Sequence, residues 1–422
     1  MADPQYDAIV VGARCAGAAT ARLLAQKGHR TLLLDRDTFP SDMPMSTHLI
    51  WQAGASLLQR WGLLDAVRAS GCPPLRSGTL DLGAFALTGS PPSDLAEDAY
   101  APRRFVLDAI LVNAAVAEGA ELREGFVVDD VLWKDGQVVG VVGGSRGAAR
   151  EELSARLVIG ADGRNSRIAQ AVSAPSYNEI PAVAGTRFAY YSGVEVGLEF
   201  TAGERRMVFA WPTNEEQALV GFMLPRHEFL AMRDDVEGHA MAELQKWAPN
   251  LHERVHRGTR ESAWQGGSVE SFCRRPFGPG WALVGDAGMT MDPITAAGIT
   301  NALRDADLLS NAADAGLSGA RPLDEALAEH GARRDAAALP MYHFTHQMAQ
   351  FAPTPPEMLA VFDALRDNRE DTDRYFGVFA QTVPVGEFFD PENLQRIVAQ
   401  GSDPSRGSGS AARSGVSKPS PR

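Results

Sequence analysis

The chain is poor in lysine, with Lys27, Lys134, Lys246 and Lys418 against 36 arginines. Few amines are therefore available for catalysis. Cysteine is scarce as well. Cys15, Cys72 and Cys273 form no C-x-x-C pair and no metal-spaced cluster, which excludes a disulfide framework and suits a reducing cytoplasm. No run of 18 apolar residues occurs, and the opening MADPQYD lacks both a basic n-region and an apolar h-region. The expectation is a cytoplasmic protein without membrane insertion. Positive charge is not in excess either: a formal net charge of -13 argues against nucleic acid and anionic membrane surfaces as partners. What is present is apolar material, 45% of 422 residues, enough for two or three domains with real cores.

The stretch Tyr6 to Arg36 organises the rest. Ala8-Ile9-Val10-Val11 is a short apolar run ended by Gly12, the pattern of a buried parallel strand. Gly12, Ala13, Arg14, Cys15, Ala16 and Gly17 then follow G-x-G-x-x-G, with arginine at the middle glycine. A small-residue helix and a second strand, Thr31 to Leu34, lead to Asp35 and Arg36. This is a dinucleotide-binding unit: the glycines permit the tight turn and close packing, and the helix N-terminus faces a pyrophosphate. Asp35 stands where a carboxylate accepts hydrogen bonds from a ribose. A Cβ at position 14 is tolerable if the side chain turns outward, and the guanidinium there is expected to help neutralise the phosphates.

Further along, a helix is expected over Trp51 to Ala69 and another after Pro102-Arg103-Arg104. Strands Phe126 to Lys134 and Gln137 to Val142 flank an Asp135-Gly136 hairpin. A buried strand, Ala155 to Gly160, precedes Asp162-Gly163. From Tyr177 to Arg274 strand-like alternation dominates, interrupted by one helix, Val236 to Trp247. The nucleotide-binding pattern resumes at Trp281 to Asp286, before a small-residue helix carrying Gly298 and Ile299. Residues 1–72, 101–176 and 275–335 read as one discontinuous domain, and 73–100 with 177–274 as an inserted sheet domain. Residues 336–398 read as helical, and 399–422, rich in Ser, Gly and Pro, as disordered.

The glycine turn, Asp162-Gly163 and Gly285-Asp286, in that order, resemble the flavoprotein monooxygenases of the p-hydroxybenzoate hydroxylase type. That family shares its fold with geranylgeranyl reductases and flavin-dependent halogenases. The resemblance implies an α/β chain: a doubly wound, Rossmann-like FAD-binding domain, an inserted, mostly antiparallel substrate sheet and a helical C-terminus. It gives Gly12, Gly17 and Asp35 to the ADP half of FAD, and Asp286 to the ribityl and pyrophosphate. Asp162 goes to FAD and pyridine-nucleotide handling, and Arg104 to the flavin side. Val128 is placed at the adenine, and Pro293, Gly298 and Ile299 against the isoalloxazine ring. Where the family reads Ala-Ala-His after Gly-Asp, this chain reads Ala287-Gly288-Met289.

By resemblance NAD(P)H reduces FAD, O2 adds at C4a, and the hydroperoxide hydroxylates or epoxidises an aromatic or polycyclic small molecule. Tyr190, Phe209, Trp211, Met223, Met289 and Met291 are candidate linings for it, with ordinary core packing as the alternative for each. His48 is the candidate catalytic residue, either a base near neutral pH or a hydrogen-bond partner of the cofactor, unless it only holds loop backbone. Cys15, though at a helix N-terminus, is expected to pack rather than react. A halogenase of this fold uses a lysine beside the flavin and a W-x-W-x-I-P segment, and Phe209-Ala210-Trp211-Pro212 does not match it. A lipid or polyene reductase, a flavin- or drug-binding protein and a plain NAD dehydrogenase remain competing readings. The expected assembly is a monomer or homodimer with no metal.

Overall fold

The computed structural model describes residues 4–401. Strand β1 (Tyr6–Val11) runs through its centre. Its Ala8 and Val10 enter one core while Ile9 and Val11 enter another, because a parallel strand with both faces covered sends alternate side chains to opposite sides. Helix α1 (Cys15–Gln26) and β2 (Thr31–Leu34) complete the βαβ unit. β1 pairs in parallel with β2 on one side and with Ala155–Gly160 on the other. Trp281–Leu283 and Glu121–Arg123 extend the parallel sheet at either side. The doubly wound α/β fold expected from the motifs is the one observed.

Two glycines set the close approach at the centre. Gly12 has φ +102°, and a Cβ there would run into the Ala161 carbonyl. A Cβ on Gly17 would overlap the Gly12 carbonyl oxygen, so the first turn of α1 lies directly on the turn that precedes it. The hairpin from Phe126–Lys134 to Gln137–Ser145 turns through Asp135 (φ 50°) and Gly136 (φ 78°), the mirror-image turn its sequence calls for.

The second large sheet has seven strands, in the order 259–260, 184–192, 217–225, 206–212, 198–203, 78–81, 86–89. It is antiparallel except where Leu198–Thr201 pairs in parallel with Gly78–Asp81. Alternation again divides its side chains. Phe188, Tyr190, Phe209, Trp211 and Met223 face a core shared with Leu49, Trp51 and Ile294. Ala189, Tyr191, Val208, Val220 and Phe222 face the opposite way. That second face is covered by three helices, Arg226–Ala231, Val236–Trp247 and Pro249–Arg257, where the periodicity predicts one.

Other boundaries differ too. The helix expected over Trp51 to Ala69 breaks into α2 (Gln52–Arg60) and α3 (Leu64–Ala69), because Gly62 takes φ +72° between them. The buried strand ending at Gly160 begins at Glu151, its first residues pairing with the hairpin instead of β1. The last helix, Pro391–Gly401, runs into the stretch from 399 expected to be disordered. Residues 402–422 of that stretch lie outside the described residues. Among the described residues no helix is long and apolar enough to cross a membrane.

The Gly17 contact generates a prediction. Gly17→Ala forces apart two backbone segments that cannot adjust independently, so it lowers stability by at least about 2 kcal/mol. Urea unfolding of the purified variant measures this. A midpoint equal to wild type would show that the α1 turn is not packed as described.

Candidate functional site

The glycine turn is fastened by the acid that ends β2. Asp35 Oδ2 accepts the Ala13 N–H at 2.6 Å, and Oδ1 accepts the Asp37 N–H at 2.8 Å. Burial raises the carboxyl's pKa from its ordinary value, and those two N–H groups partly offset the rise. Arg36 is exposed beside it. The Phe126 N–H donates to the Asp35 carbonyl, which brings the strand carrying the buried Val128 to the end of β2.

Arg14, at the N-cap of α1, is engaged by side chains of the protein. Its guanidinium donates to Asp108 Oδ2 at 2.8 Å, Asp37 Oδ2 at 3.1 Å and Ser41 Oγ at 3.1 Å. Asp108 is wholly buried on α4 (Arg104–Ala117) and also receives Arg104 Nη2 at 3.0 Å on each oxygen. The Cys15 thiol donates to Oδ1 at 3.3 Å. Burial pushes that thiol far above its ordinary pKa, so the cysteine packs and does not react. Asp108 is the residue the motifs miss. The one local signal for it is the Arg104–Asp108 spacing of i, i+4.

At the other strand ends the two Asp-containing motifs part company. Asp162 accepts from Ser166 Oγ at 2.5 Å and from the Arg167 N–H at 2.6 Å, so its carboxylate is occupied at the start of the short helix Arg167–Ala171. Asp286, by contrast, is exposed at the strand end. Its carboxyl is nonetheless raised, first by the protein atoms that crowd it, with Arg104 and Arg164 lowering it in part. Behind it, the Gly285 N–H donates to Asp305 Oδ2 at 2.9 Å, and Asp305 Oδ1 lies 2.8 Å from His330 Nε2. Neither Asp305 nor His330 is marked by a motif. Pro293 opens a 3-10 turn capped by Asp292, and Ala296 (φ 50°) delivers the chain into the helix Gly298–Leu317. Gly298 is exposed at that helix start, with no atom within 4 Å of where a Cβ would stand, and Ile299 behind it is buried.

His48 has φ 49° and is 2% exposed. Nδ1 lies 2.9 Å from the Ala101 carbonyl, which can only accept, so Nδ1 carries the proton. Nε2 therefore accepts the Tyr190 O–H, also at 2.9 Å. Burial, reinforced by Arg103, lowers the imidazole pKa to about 3. Both nitrogens are used and the ring stays neutral, which is the structural role and not that of a base near neutral pH. Arg103, another residue without a motif, stacks 3.8 Å over the Tyr190 ring and pairs with Asp42.

Tyr190, Phe209, Trp211 and Met223 meet in one apolar cluster, with Phe200, Met207, Met348 and Phe351 partly buried around it. Met289 and Met291 do not join them, and pack with Cys273 and Tyr342 under the C-terminal helices. A groove of about 440 Å3 between α2 and the Gly298–Leu317 helix contains none of these six residues.

Two helix N-termini, the Asp35 carboxylate, buried Arg104 and exposed Asp286 thus surround one region of the parallel sheet's strand ends. The first turn of α1 holds no acidic residue that would oppose a phosphate. Over residues 5–343 the sequence matches the FAD binding domain family. The chain belongs to that family. It is 28% identical over 320 residues to digeranylgeranylglycerophospholipid reductase 2 of Methanopyrus kandleri, covering 71% of this chain and 74% of the relative. With 6-methylpretetramide 4-monooxygenase of Streptomyces rimosus it shares 26% identity over 314 residues, 71% and 73% of the two chains. The solved myxobacterial chondrochloren halogenase CndH superposes with a TM-score of 0.74 at 23% identity, over 95% and 91% of the chains. The family is one of flavin-dependent oxidoreductases, and its monooxygenases, halogenases and reductases share this fold. The residues present are of the kind that suits FAD: a glycine turn at a helix N-terminus free of acidic residues, a carboxylate at the end of β2, and the exposed N-terminus of a long helix.

The His48 geometry yields a pH prediction. The unfolded chain takes up a proton at this ring below about pH 6.5, while the folded chain resists it down to about 3. Stability from this group is therefore fully present above pH 6.5 and falls as the pH is lowered through that window. Between pH 7.5 and 5 the wild type should lose about 2 kcal/mol more than His48→Gln. Urea unfolding of both proteins at the two pH values measures it, and equal losses would contradict the buried neutral ring.

Proposed function

We propose that the protein is an FAD-dependent monooxygenase that uses NAD(P)H and O2 to hydroxylate or epoxidise an aromatic or polycyclic small molecule. One observation carries the reading. Phe209, Trp211 and Met223 of the inserted sheet share a core with Ile294 and Ala296, in the loop that feeds the helix at Gly298. An aromatic and thioether surface therefore adjoins the segment expected at the isoalloxazine ring, and domain interfaces favour such sites.

When bound, FAD supplies electron transfer from the nicotinamide and activation of O2. The chain's own residues do the rest. The N–H groups of the first α1 turn and the Asp35 carboxylate would hold the ADP half, and Asp286 with Arg104 the middle of the cofactor. The N-terminus of Gly298–Leu317 would place its positive end at the flavin and favour a reduced, anionic ring. Buried aromatic side chains keep water from the reacting face. Tyr190, held by His48 and stacked under Arg103, stays protonated because burial raises its pKa, so it acts as a donor to a ligand or to His48 and not as a base.

Lysine placement weighs against a halogenase. Among the described residues Lys27 pairs with Asp314, Lys246 lies over Trp247, and Lys134 is on the exposed end of a hairpin strand. None enters the aromatic cluster. A reductase of a polyprenyl lipid is the second reading, favoured by the apolar lining and by the similarity to the Methanopyrus kandleri reductase.

The test is anaerobic reduction of the bound flavin by NADPH and by NADH, with and without a panel of aromatic ligands. The monooxygenase reading predicts bleaching by at least one nucleotide, accelerated about tenfold or more by a ligand that fits. Failure of both nucleotides to reduce the flavin contradicts it and moves the reductase with a separate electron donor ahead.

A further inference from the structure

The aromatic face of the inserted sheet carries polar side chains that are satisfied within the protein, and others that are not. Tyr190 donates to His48, and Trp211 Nε1 donates to the Thr47 carbonyl at 3.3 Å. Thr186 Oγ1 and Gln265 Oε1 are buried and have no hydrogen-bond partner. Leaving a buried polar group unpaired is costly, so its retention needs an explanation.

Strand parity places both on the aromatic face. In Ala184–Ser192, Ala184, Phe188 and Tyr190 enter the aromatic core, while Ala189 and Tyr191 enter the opposite one. Thr186 has the parity of the first set, is 3% exposed, and stands opposite Met223 of the same core. Gln265 stands directly opposite Phe188, exchanging N–H···O bonds of 2.8 and 3.0 Å with it. Cross-strand partners share a face. Its neighbour Trp264 packs the other way, against Tyr191 and Phe222. The backbone beside them is paired with itself, the Thr186 N–H donating to the Gly267 carbonyl at 2.9 Å. Met45, 48% exposed, reaches over the adjoining Gly267, where a Cβ would come within 2.5 Å of its Cε. An unbranched thioether is a cover that can swing aside.

We infer that Thr186 and Gln265 form the polar anchor of the substrate site, and that the ligand is an aromatic ring system bearing a hydroxyl or amino substituent on the edge beside Ala184–Ser192. A hydroxyl and a primary amide together satisfy a group that both donates and accepts, while Phe188 and Met223 between and beside them receive the ring. This specificity rests on the monooxygenase reading only in calling that ligand the substrate.

The experiment titrates the FAD-loaded protein with 2-naphthol and with 2-methylnaphthalene, read by the bound-flavin absorbance and by tryptophan fluorescence. The wild type should bind the naphthol about tenfold or more tightly. Thr186→Val should bring the two probes within about threefold, and Thr186→Ser should keep the preference. In the ligand-free protein Thr186→Val should unfold no earlier than wild type, since it deletes an unpaired hydroxyl. Equal binding of the probes, binding of neither, a preference that survives Thr186→Val, or marked destabilisation by that substitution would each overturn the inference. None of these readouts needs turnover. A protein that ignores NAD(P)H but keeps the naphthol preference overturns the monooxygenase reading and leaves the anchor standing, and one reduced by NAD(P)H without the preference does the reverse.

Discussion

A single buried carboxylate ties the cofactor region together. Asp108 sits wholly out of water and receives Arg14 from the head of α1, Arg104 from its own helix and the Cys15 thiol. Arg14 in turn reaches Asp37 and Ser41, so the loop that follows β2 is fixed to the same centre. Burying one charge is expensive, and a lone arginine in this setting would be too. A carboxylate shared by two guanidiniums offsets both costs, provided that every partner is kept. The arginine at the middle glycine position is therefore a structural device. It replaces close backbone approach by a clamp between the first helix, the fourth and the loop leading to His48.

The second constraint is the two-faced inserted sheet. One face is closed by three helices within the insert, which leaves the other free to meet the cofactor domain. On that face Gly221 makes room for Phe209, whose ring would otherwise meet a Cβ at 2.5 Å, and Phe209 stacks on Trp211 with ring centroids 5.0 Å apart. The His48–Tyr190 bond and the Trp211–Thr47 bond sew the loop 47–48 to this surface. One short segment thus joins the clamp to the sheet, since the chain from Asp37 to His48 begins at the Asp108 clamp and ends on the aromatic face.

Much of this is legible in the sequence because local chemistry decides it. The β1–α1–β2 unit, the Asp135-Gly136 turn and the Gly285-Asp286 strand end follow from residue type and spacing, and tertiary contacts only reinforce them. What escapes is set by partners distant in sequence. Asp108 lies 94 residues from Arg14, and nothing near position 14 announces it. His48 has the right residue type for a base, but the Ala101 carbonyl and Tyr190 hydroxyl determine that it stays neutral, and these come from two other segments. Met289 and Met291 read as pocket residues by type alone and fall in a separate core beside Tyr342. Helix boundaries moved where a glycine took positive φ, as at Gly62, which periodicity does not register.

The most direct measurement of the account is FAD binding to Asp108→Asn. Asparagine keeps the shape and removes the charge that half-buried Arg14 and buried Arg104 share. If the clamp organises the cofactor region, the variant should bind FAD at least about tenfold more weakly and lose about 3 kcal/mol or more of stability. A variant that holds FAD as tightly as wild type, at unchanged stability, would contradict the claim that this carboxylate builds the site.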